Sequence, residues 1–122
     1  FKNKTVCFLG VTFKPNTDDM REASSIPMIK HLSKKGAKIR YYDPTGYKHQ
    51  LSNFKNVLNS DNLKSACKNC DLIIIHTEWN EFKQLNFKKL VGKNSFKGLD
   101  LRNIFSPSKM LKKGIKYFGI GR

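Results

Sequence analysis

Two apolar segments, at residues 5–9 and 72–76, constrain the fold more than any other part of the chain. Their sequences are TVCFL and LIIIH, and neither contains an acidic side chain, a lysine or an arginine. Runs of this length suit strands that are buried on both faces of a parallel sheet. The first run ends at Gly10. We therefore predict a buried first strand at residues 5–9 and a central strand at residues 72–76.

A helix pattern follows the first strand. Ser24 or Ser25 can cap a helix that continues to about Lys35. Gly36 stands just past that end, where glycine often terminates a helix. The segment at residues 38–42, KIRYY, predicts a second strand that stops before Asp43 and Pro44. Strand, helix and strand then form a βαβ unit, whose crossover is right-handed in nearly all proteins.

The rest of the chain continues this alternation. We predict further strands at residues 56–58, 96–101 and 115–120. We predict helices at residues 61–67 (begun by Ser60 or Asp61), 79–85, 87–91 and 107–113. Such alternation is typical of an α/β protein with a parallel sheet. The fold class is therefore α/β, a Rossmann-like three-layer domain with a mostly parallel sheet of about five to six strands, and residues 1–122 form one domain.

Ligands of open parallel sheets bind beyond the carboxyl ends of the strands, so the candidate positions are those where the predicted strands end. They are residues 10–14, Asp43, residues 76–79 and residues 100–103. Lys14 and Arg102 are expected to converge there on one anion from neighbouring strands. Asp43, followed by proline, is better explained as the cap of the next segment than as a ribose ligand. His76 is better explained as a hydrogen-bonded structural histidine than as a general base.

The loop after the first strand is unusual for a phosphate site. Residues 10–23 contain one glycine, the cations Lys14 and Arg21, and three of the nine acidic residues of the chain. A dinucleotide fingerprint would have three glycines instead. Side chains therefore replace the glycine-rich backbone as phosphate ligands. No catalytic triad, metal-ligand cluster or Walker loop is recognisable, which indicates a phosphate-binding module with neither catalytic nor metal-binding residues of its own.

The formal charge of +15 favours anionic ligands. Only four of the 24 basic residues are arginines, however, and the lysines are spread over the whole chain. Nucleic-acid surfaces use arginine for bidentate contacts. We therefore expect no nucleic-acid partner, although a basic module that binds nucleic acid non-specifically remains an alternative.

Three cysteines, an odd number, indicate a reducing compartment without a disulfide framework. Cys67 and Cys70 form a C-x-x-C pattern at the end of a predicted helix, where no helix dipole activates the thiol, so we interpret both as incidental. No membrane span or signal peptide is recognisable. The chain begins at Phe1, which suggests a piece of a longer protein, and we expect a cytoplasmic location.

Five segments closely resemble UDP-glucose 6-dehydrogenases, in the order that this family has them. They are residues 10–23, the YDP of residues 42–44, the TEWNEF of residues 77–82, the DLRN of residues 100–103 and the YFGIGR of residues 117–122. The resemblance covers nearly the entire chain. It is confined to the C-terminal, UDP-binding domain of the family.

The resemblance implies oxidation of UDP-glucose to UDP-glucuronate by two NAD⁺. In the family, the catalytic cysteine, its helper lysine and asparagine and the NAD-binding domain lie N-terminal to this region. The resemblance thus implies that the NAD-binding and central helical domains are absent here, that NAD is bound mainly by the absent part, and that the fragment is inactive alone. It also implies a homo-oligomer for the full-length enzyme. The same domain of a dehydrogenase for UDP-N-acetylmannosamine or GDP-mannose is the alternative.

The resemblance also assigns roles to four residues. Phe13 and Lys14 match the pair that contacts the UDP-sugar, and Arg102 matches a further substrate contact. Arg21 matches the arginine that reaches NAD in the assembled enzyme. Leu101 departs from the family, which usually has glycine there, and the placement of Arg102 is expected to depend on it.

Overall fold

The computed structural model describes residues 1–121 and contains one six-stranded sheet in which all paired strands are parallel. The strand order is β3-β2-β1-β4-β5-β6. The strands are β1 (Thr5–Leu9), β2 (Lys38–Tyr42), β3 (Val57–Asn59), β4 (Leu72–Ile75), β5 (Lys97–Asp100) and β6 (Lys116–Gly119). The predicted parallel sheet of about five to six strands is confirmed. β4 lies beside β1 at the centre of the sheet.

Within residues 1–121, four α-helices connect the strands: α1 (Ser25–Lys34), α2 (Leu63–Cys67), α3 (Phe87–Val91) and α4 (Pro107–Lys112). Two short 3₁₀ turns occur at His49–Leu51 and Asn80–Phe82. Among residues 1–121, no helix has the length and apolarity that crossing a membrane requires.

The sheet has one hydrophobic core on each face, which confirms the three-layer architecture. Val6 and Phe8 of β1 pack in the core that contains Ile29 and Leu32 of α1. The alternate residues of β1, Cys7 and Leu9, pack in the core on the opposite face, which contains buried residues of the other three helices: Ala66, Cys67, Phe87, Val91 and Met110. Alternation along a strand sends successive side chains to opposite faces, so β1 contributes to both cores.

The predicted helix at residues 79–85 is wrong, because only the 3₁₀ turn at Asn80–Phe82 forms there. Asn86 begins the next helix instead, and its side chain accepts a hydrogen bond from the Lys89 amide. An N-cap residue has extended backbone, and Asn86 does (φ −94°, ψ 91°). A helix over residues 79–85 therefore cannot run on into α3.

The predicted start of α2 needs correction, whereas α1 begins where we expected but without the expected side-chain cap. Asn62 caps α2 by accepting from the Ser65 amide, whereas we expected Ser60 or Asp61. Ser60 is used by the sheet, since its amide donates to the Tyr41 carbonyl. At α1, Ser24 occupies the N-cap position without a side-chain capping bond. Its hydroxyl is instead engaged with His76.

Candidate functional site

The order in which the chain adds strands to the sheet reverses between β1 and β4. After β1 the chain builds β2 and β3 on one side, and then returns to build β4, β5 and β6 on the other. The connections that leave β1 and β4 consequently diverge at the carboxyl ends of these strands, where a doubly wound sheet has its crevice. Doubly wound proteins bind their ligands at such a switch point. The loop from Gly10 and the His76–Thr77 pair both begin there.

The start of the β1 loop is fixed to the end of β2. The Gly10 amide donates to the Tyr42 carbonyl at 2.8 Å, and the Val11 amide donates to Oδ2 of Asp43 at 2.9 Å. The other oxygen of Asp43, Oδ1, accepts from the Thr45 amide at 2.9 Å. The predicted capping role of Asp43 is confirmed. In addition, its buried carboxylate holds the loop that carries Lys14.

The next residues of the loop hold Phe13 and Lys14 outward. Thr12 is fully buried, its carbonyl accepts from the Thr77 hydroxyl at 2.8 Å, and its own hydroxyl donates to the Lys14 carbonyl at 3.0 Å. Phe13 is 44% exposed and Lys14 is exposed. The main chain is therefore fixed, while the two side chains predicted to contact the substrate are accessible to a ligand.

Arg21 is paired with a neighbouring acid. Its Nε and Nη2 donate to the carboxylate of Asp19, with the Nη2–Oδ2 contact at 3.0 Å. These hydrogen bonds from the guanidinium lower the pKa of the Asp19 carboxyl. The Arg21 side chain is 89% exposed, so the pair lies in solvent and contributes little to stability.

Arg102 is oriented by both β5 and β4. Its amide donates to Oδ1 of Asp100 at 3.0 Å, and its Nε donates to the His76 carbonyl at 2.9 Å. Leu101 continues the sheet pattern by donating to the Ile75 carbonyl at 3.1 Å. Among residues 1–121, Leu101 is not one of the non-glycine residues with positive φ, so it fits this backbone without strain.

The expected convergence of Lys14 and Arg102 rested partly on adjacent strands, and this premise is wrong. β4 lies between β1 and β5, the strands after which these residues follow. The carboxyl end of β4 contacts both segments, through Thr77 on one side and His76 on the other.

His76 is a structural histidine, as predicted. Its ring is 1% exposed, Nε2 lies 2.8 Å from the Ser24 hydroxyl, and Nδ1 lies 3.0 Å from the Thr77 hydroxyl. Burial, followed by the charge of Arg102, lowers its pKa to about 4. The imidazole is therefore neutral at pH 7.

This low pKa makes stability depend on pH. A histidine in the unfolded chain titrates near 6.5 and His76 in the folded protein near 4, so between these values the unfolded state binds more protons. The contribution is complete above about pH 6.5 and is lost as the pH falls towards 4. We expect the free energy of unfolding to decrease by about 2 kcal/mol from about pH 7 to about pH 5.

Urea titrations at a series of pH values measure this change. His76→Gln removes the titrating ring and should flatten the curve over the same range. A curve of equal slope for both proteins would assign the effect to other groups.

The three cysteines have no catalytic environment. Cys7, Cys67 and Cys70 are buried and free, and the Cys7 and Cys67 sulfurs lie 3.8 Å apart. The contact with Cys67 and, as the second cause, burial raise the pKa of the Cys7 thiol well above its usual value. Burial raises the pKa of the Cys70 thiol to about 12. Thiols that stay protonated are poor nucleophiles, which agrees with the interpretation that they are incidental. Residues 1–121 contain no cluster of potential metal ligands.

Sequence reasoning missed three buried polar residues that shape the site. Thr12, Thr77 and Asp100 have no exposed surface. The Thr12 hydroxyl donates to the Lys14 carbonyl, the Thr77 hydroxyl donates to the Thr12 carbonyl, and the Asp100 carboxylate accepts from the Phe105 amide. Asp100 accepts from the amides of Arg102 and Phe105 and from the Tyr117 hydroxyl. Their position at strand ends was the available signal, since a polar residue directly after a buried strand must find an internal partner.

The doubly wound sheet, with a cation-bearing loop at its switch point, defines a nucleotide-binding domain of the α/β class. Residues 7–107 match the UDP-binding domain of the UDP-glucose/GDP-mannose dehydrogenase family. The chain belongs to this family, as its motifs predicted.

Named relatives agree with this assignment. Over 98% of this chain, the sequence is 38% identical to the UDP-glucose 6-dehydrogenase of Rickettsia felis. Over 99% of this chain, it is 36% identical to the UDP-glucose 6-dehydrogenase of Rhizobium meliloti. It spans about 28% of the length of each relative. A solved NDP-N-acetyl-D-galactosaminuronic acid dehydrogenase from Methanosarcina mazei superimposes with a TM-score of 0.84 and 31% identity, covering 99% of this chain and 25% of that one.

Proposed function

We propose that this chain is the UDP-sugar-binding domain of an NAD-dependent UDP-glucose 6-dehydrogenase, which oxidises UDP-glucose to UDP-glucuronate with two NAD⁺. The main support is the family match over residues 7–107, in a chain whose loop presents Phe13 and Lys14 at the switch point. The chemistry of oxidation belongs to residues outside this chain, because its own thiols are buried.

In this proposal Lys14 and Arg102 bind the diphosphate. The Lys14 ammonium is a compact charge on a flexible stem, whereas the Arg102 guanidinium is a planar fork that matches phosphate oxygens. Arg102 donates Nε to the His76 carbonyl, which fixes the position of its guanidinium beside the end of β4. Phe13, partly exposed beside Lys14, contributes an apolar contact to the UDP-sugar.

NAD supplies the hydride acceptor and is held mainly outside this chain. The described part of the chain fits a peripheral role only, because the β1 loop lacks the glycines of a dinucleotide site. Arg21 is the residue that we propose to contact NAD. Its side chain is 89% exposed, and Asp19 accepts from its Nε and Nη2.

Replacing Lys14 tests the substrate site. We expect Lys14→Ala to weaken UDP binding about tenfold or more, because a charge-assisted contact contributes about 1.5–3 kcal/mol. Isothermal titration of the 122-residue protein with UDP measures the affinity. Lys38→Ala is the matched control, since Lys38 is also exposed but lies at the amino end of β2, away from the crevice. Equal affinities of the two variants, or no UDP binding at millimolar concentration, would contradict the assignment.

A dehydrogenase for another nucleotide sugar is the second candidate. The similarity to the Methanosarcina mazei enzyme, whose name specifies an N-acetylated sugar acid, favours it. Turnover of UDP-glucose and of UDP-N-acetylhexosamines by the full-length enzyme distinguishes the two candidates. We also propose that this enzyme is located in the cytoplasm and forms a homo-oligomer. Sedimentation of the purified enzyme tests the oligomeric state.

A further inference from the structure

His76 and Thr77, directly after β4, contact three separate segments around the crevice. The Thr77 hydroxyl donates to the Thr12 carbonyl of the β1 loop at 2.8 Å. The His76 carbonyl accepts from Nε of Arg102 at 2.9 Å, and its Nε2 is paired with the hydroxyl of Ser24, which precedes α1, at 2.8 Å. Two consecutive residues thereby connect the β1 loop, the start of α1 and the end of β5.

The direction of these hydrogen bonds follows from the number of protons. The single hydroxyl proton of Thr77 is donated to Thr12, so the oxygen of Thr77 must accept from Nδ1–H of His76, 3.0 Å away. A neutral imidazole protonated at Nδ1 has a lone pair at Nε2. The Ser24 hydroxyl therefore donates to Nε2. Each group has one role, and the chain of hydrogen bonds has one arrangement.

Steric contact fixes the same junction. Gly10 has φ +77°, and a β-carbon placed on it would lie 2.6 Å from Cβ of Thr77. The β1 loop therefore rests directly on Thr77, while the hydrogen bond to Thr12 keeps it from moving away. Thr77 is fully buried and His76 is 1% exposed, so solvent water does not compete for these contacts.

The connection reaches both residues that we propose to bind the diphosphate. From Thr77 it passes through Thr12, whose hydroxyl donates to the Lys14 carbonyl at 3.0 Å. From His76 it passes directly to the guanidinium of Arg102. Because β4 separates β1 from β5, no pairing between those two strands sets the spacing of the cations.

We infer that His76 and Thr77 are positioning residues, which set the distance and orientation between Lys14 and Arg102 for a diphosphate ligand. This inference rests on the proposed function of the site. Neither residue is exposed enough to touch the nucleotide. They act by ordering the two cationic segments before the ligand arrives, so that less ordering is required on binding.

Thr77→Val tests this role, since it removes the hydroxyl and keeps the shape. The valine removes both the donor to the Thr12 carbonyl and the acceptor of His76 Nδ1–H. We expect UDP to bind about fivefold more weakly, because the β1 loop must then be ordered on binding. Thr77→Ser, which retains the hydroxyl, should restore most of the affinity. Thr5→Val, the same change at the amino end of β1, should leave the affinity unchanged. Titrations are performed well below the unfolding temperature of each variant.

A double-mutant cycle separates positioning from a general loss of structure. If Thr77 acts through Lys14, Thr77→Val should weaken binding less than about twofold when Lys14→Ala is already present. A full and additive loss in that background would overturn the inference, and so would unchanged affinity in Thr77→Val alone or failure of Thr77→Ser to restore binding.

A measurement without ligand keeps the inference distinct from the proposed function. Amide hydrogen exchange and ¹⁵N relaxation should show that Thr77→Val loosens residues 12–14 while the rest of β1 stays rigid. If the unsubstituted protein does not bind UDP, the proposed function is wrong, and this measurement still decides whether Thr77 orders the loop. An unchanged loop in Thr77→Val overturns the positioning role.

Discussion

Gly10→Ala is expected to lower the free energy of unfolding by about 3 kcal/mol. About 1–2 kcal/mol comes from the left-handed backbone at φ +77°, which alanine tolerates poorly. The remainder comes from overpacking, because the new methyl carbon would lie 2.6 Å from Cβ of the buried Thr77. Relief of that contact requires the β1 loop to move off β4, so UDP binding should weaken together with stability. Urea denaturation and UDP titration measure the two effects.

Gly92→Ala is the matched control for this substitution. Gly92 ends α3 with φ +76°, and no heavy atom lies within 4 Å of a β-carbon built on it. The control therefore has the same backbone cost without the steric contact. We expect a loss of about 1–2 kcal/mol and no change in UDP affinity. If the two substitutions destabilise the protein equally, the contact between Gly10 and Thr77 has no energetic importance.

Asp100→Ala should be comparably severe, with a loss of about 3–4 kcal/mol. The carboxylate is fully buried and accepts hydrogen bonds from the amides of Arg102 and Phe105 and from the Tyr117 hydroxyl, at 2.7–3.1 Å. A hydrogen bond contributes about 1 kcal/mol net, and truncation removes three of them from a buried acceptor. The turn that begins with Arg102 loses its main support, so we also expect weaker UDP binding.

Two smaller changes at the same place calibrate the effect. Asp100→Asn retains an acceptor at the position of Oδ1, next to the Arg102 amide, and should cost less than the alanine substitution. Tyr117→Phe removes only the hydroxyl contacts and should cost about 1 kcal/mol. Chemical denaturation of the three variants gives the order directly. An alanine variant as stable as Tyr117→Phe would show that the Asp100 carboxylate does not hold the turn.

The architecture was predictable from sequence because buried parallel strands leave a local signal. The apolar runs at residues 5–9 and 72–76 required helices on both faces, and the helix patterns between strands supplied them. Helix caps were less predictable, because Ser24 and Ser60 are equally suited to capping in the sequence. The Ser24 hydroxyl pairs with the His76 ring, and the Ser60 amide donates to the Tyr41 carbonyl. Both partners are distant along the chain.

The candidate site was predictable only in its exposed part. Phe13, Lys14 and Arg102 belong to motifs that a sequence shows, and their substrate roles stay predictions, as does the NAD contact of Arg21. Arg122 of the closing motif lies outside the described residues. The supporting contacts of Thr12 and Thr77 could not be predicted, because they join positions 65 residues apart through a register that folding establishes.

The switch point also determines when the site can exist during folding. Residues 5–59 contain everything needed for the half-sheet β3-β2-β1, whereas the register that pairs Val6 with Leu72 and Leu9 with Ile75 needs the second half of the chain. Until β4 docks, β1 has an unpaired edge and the β1 loop lacks Thr77. The crevice thus lies between the half of the sheet built from the first part of the chain and the half built from the second part. A ligand bound across it stabilises only the completely assembled domain, so UDP would stabilise the docking of the two halves of the sheet on each other.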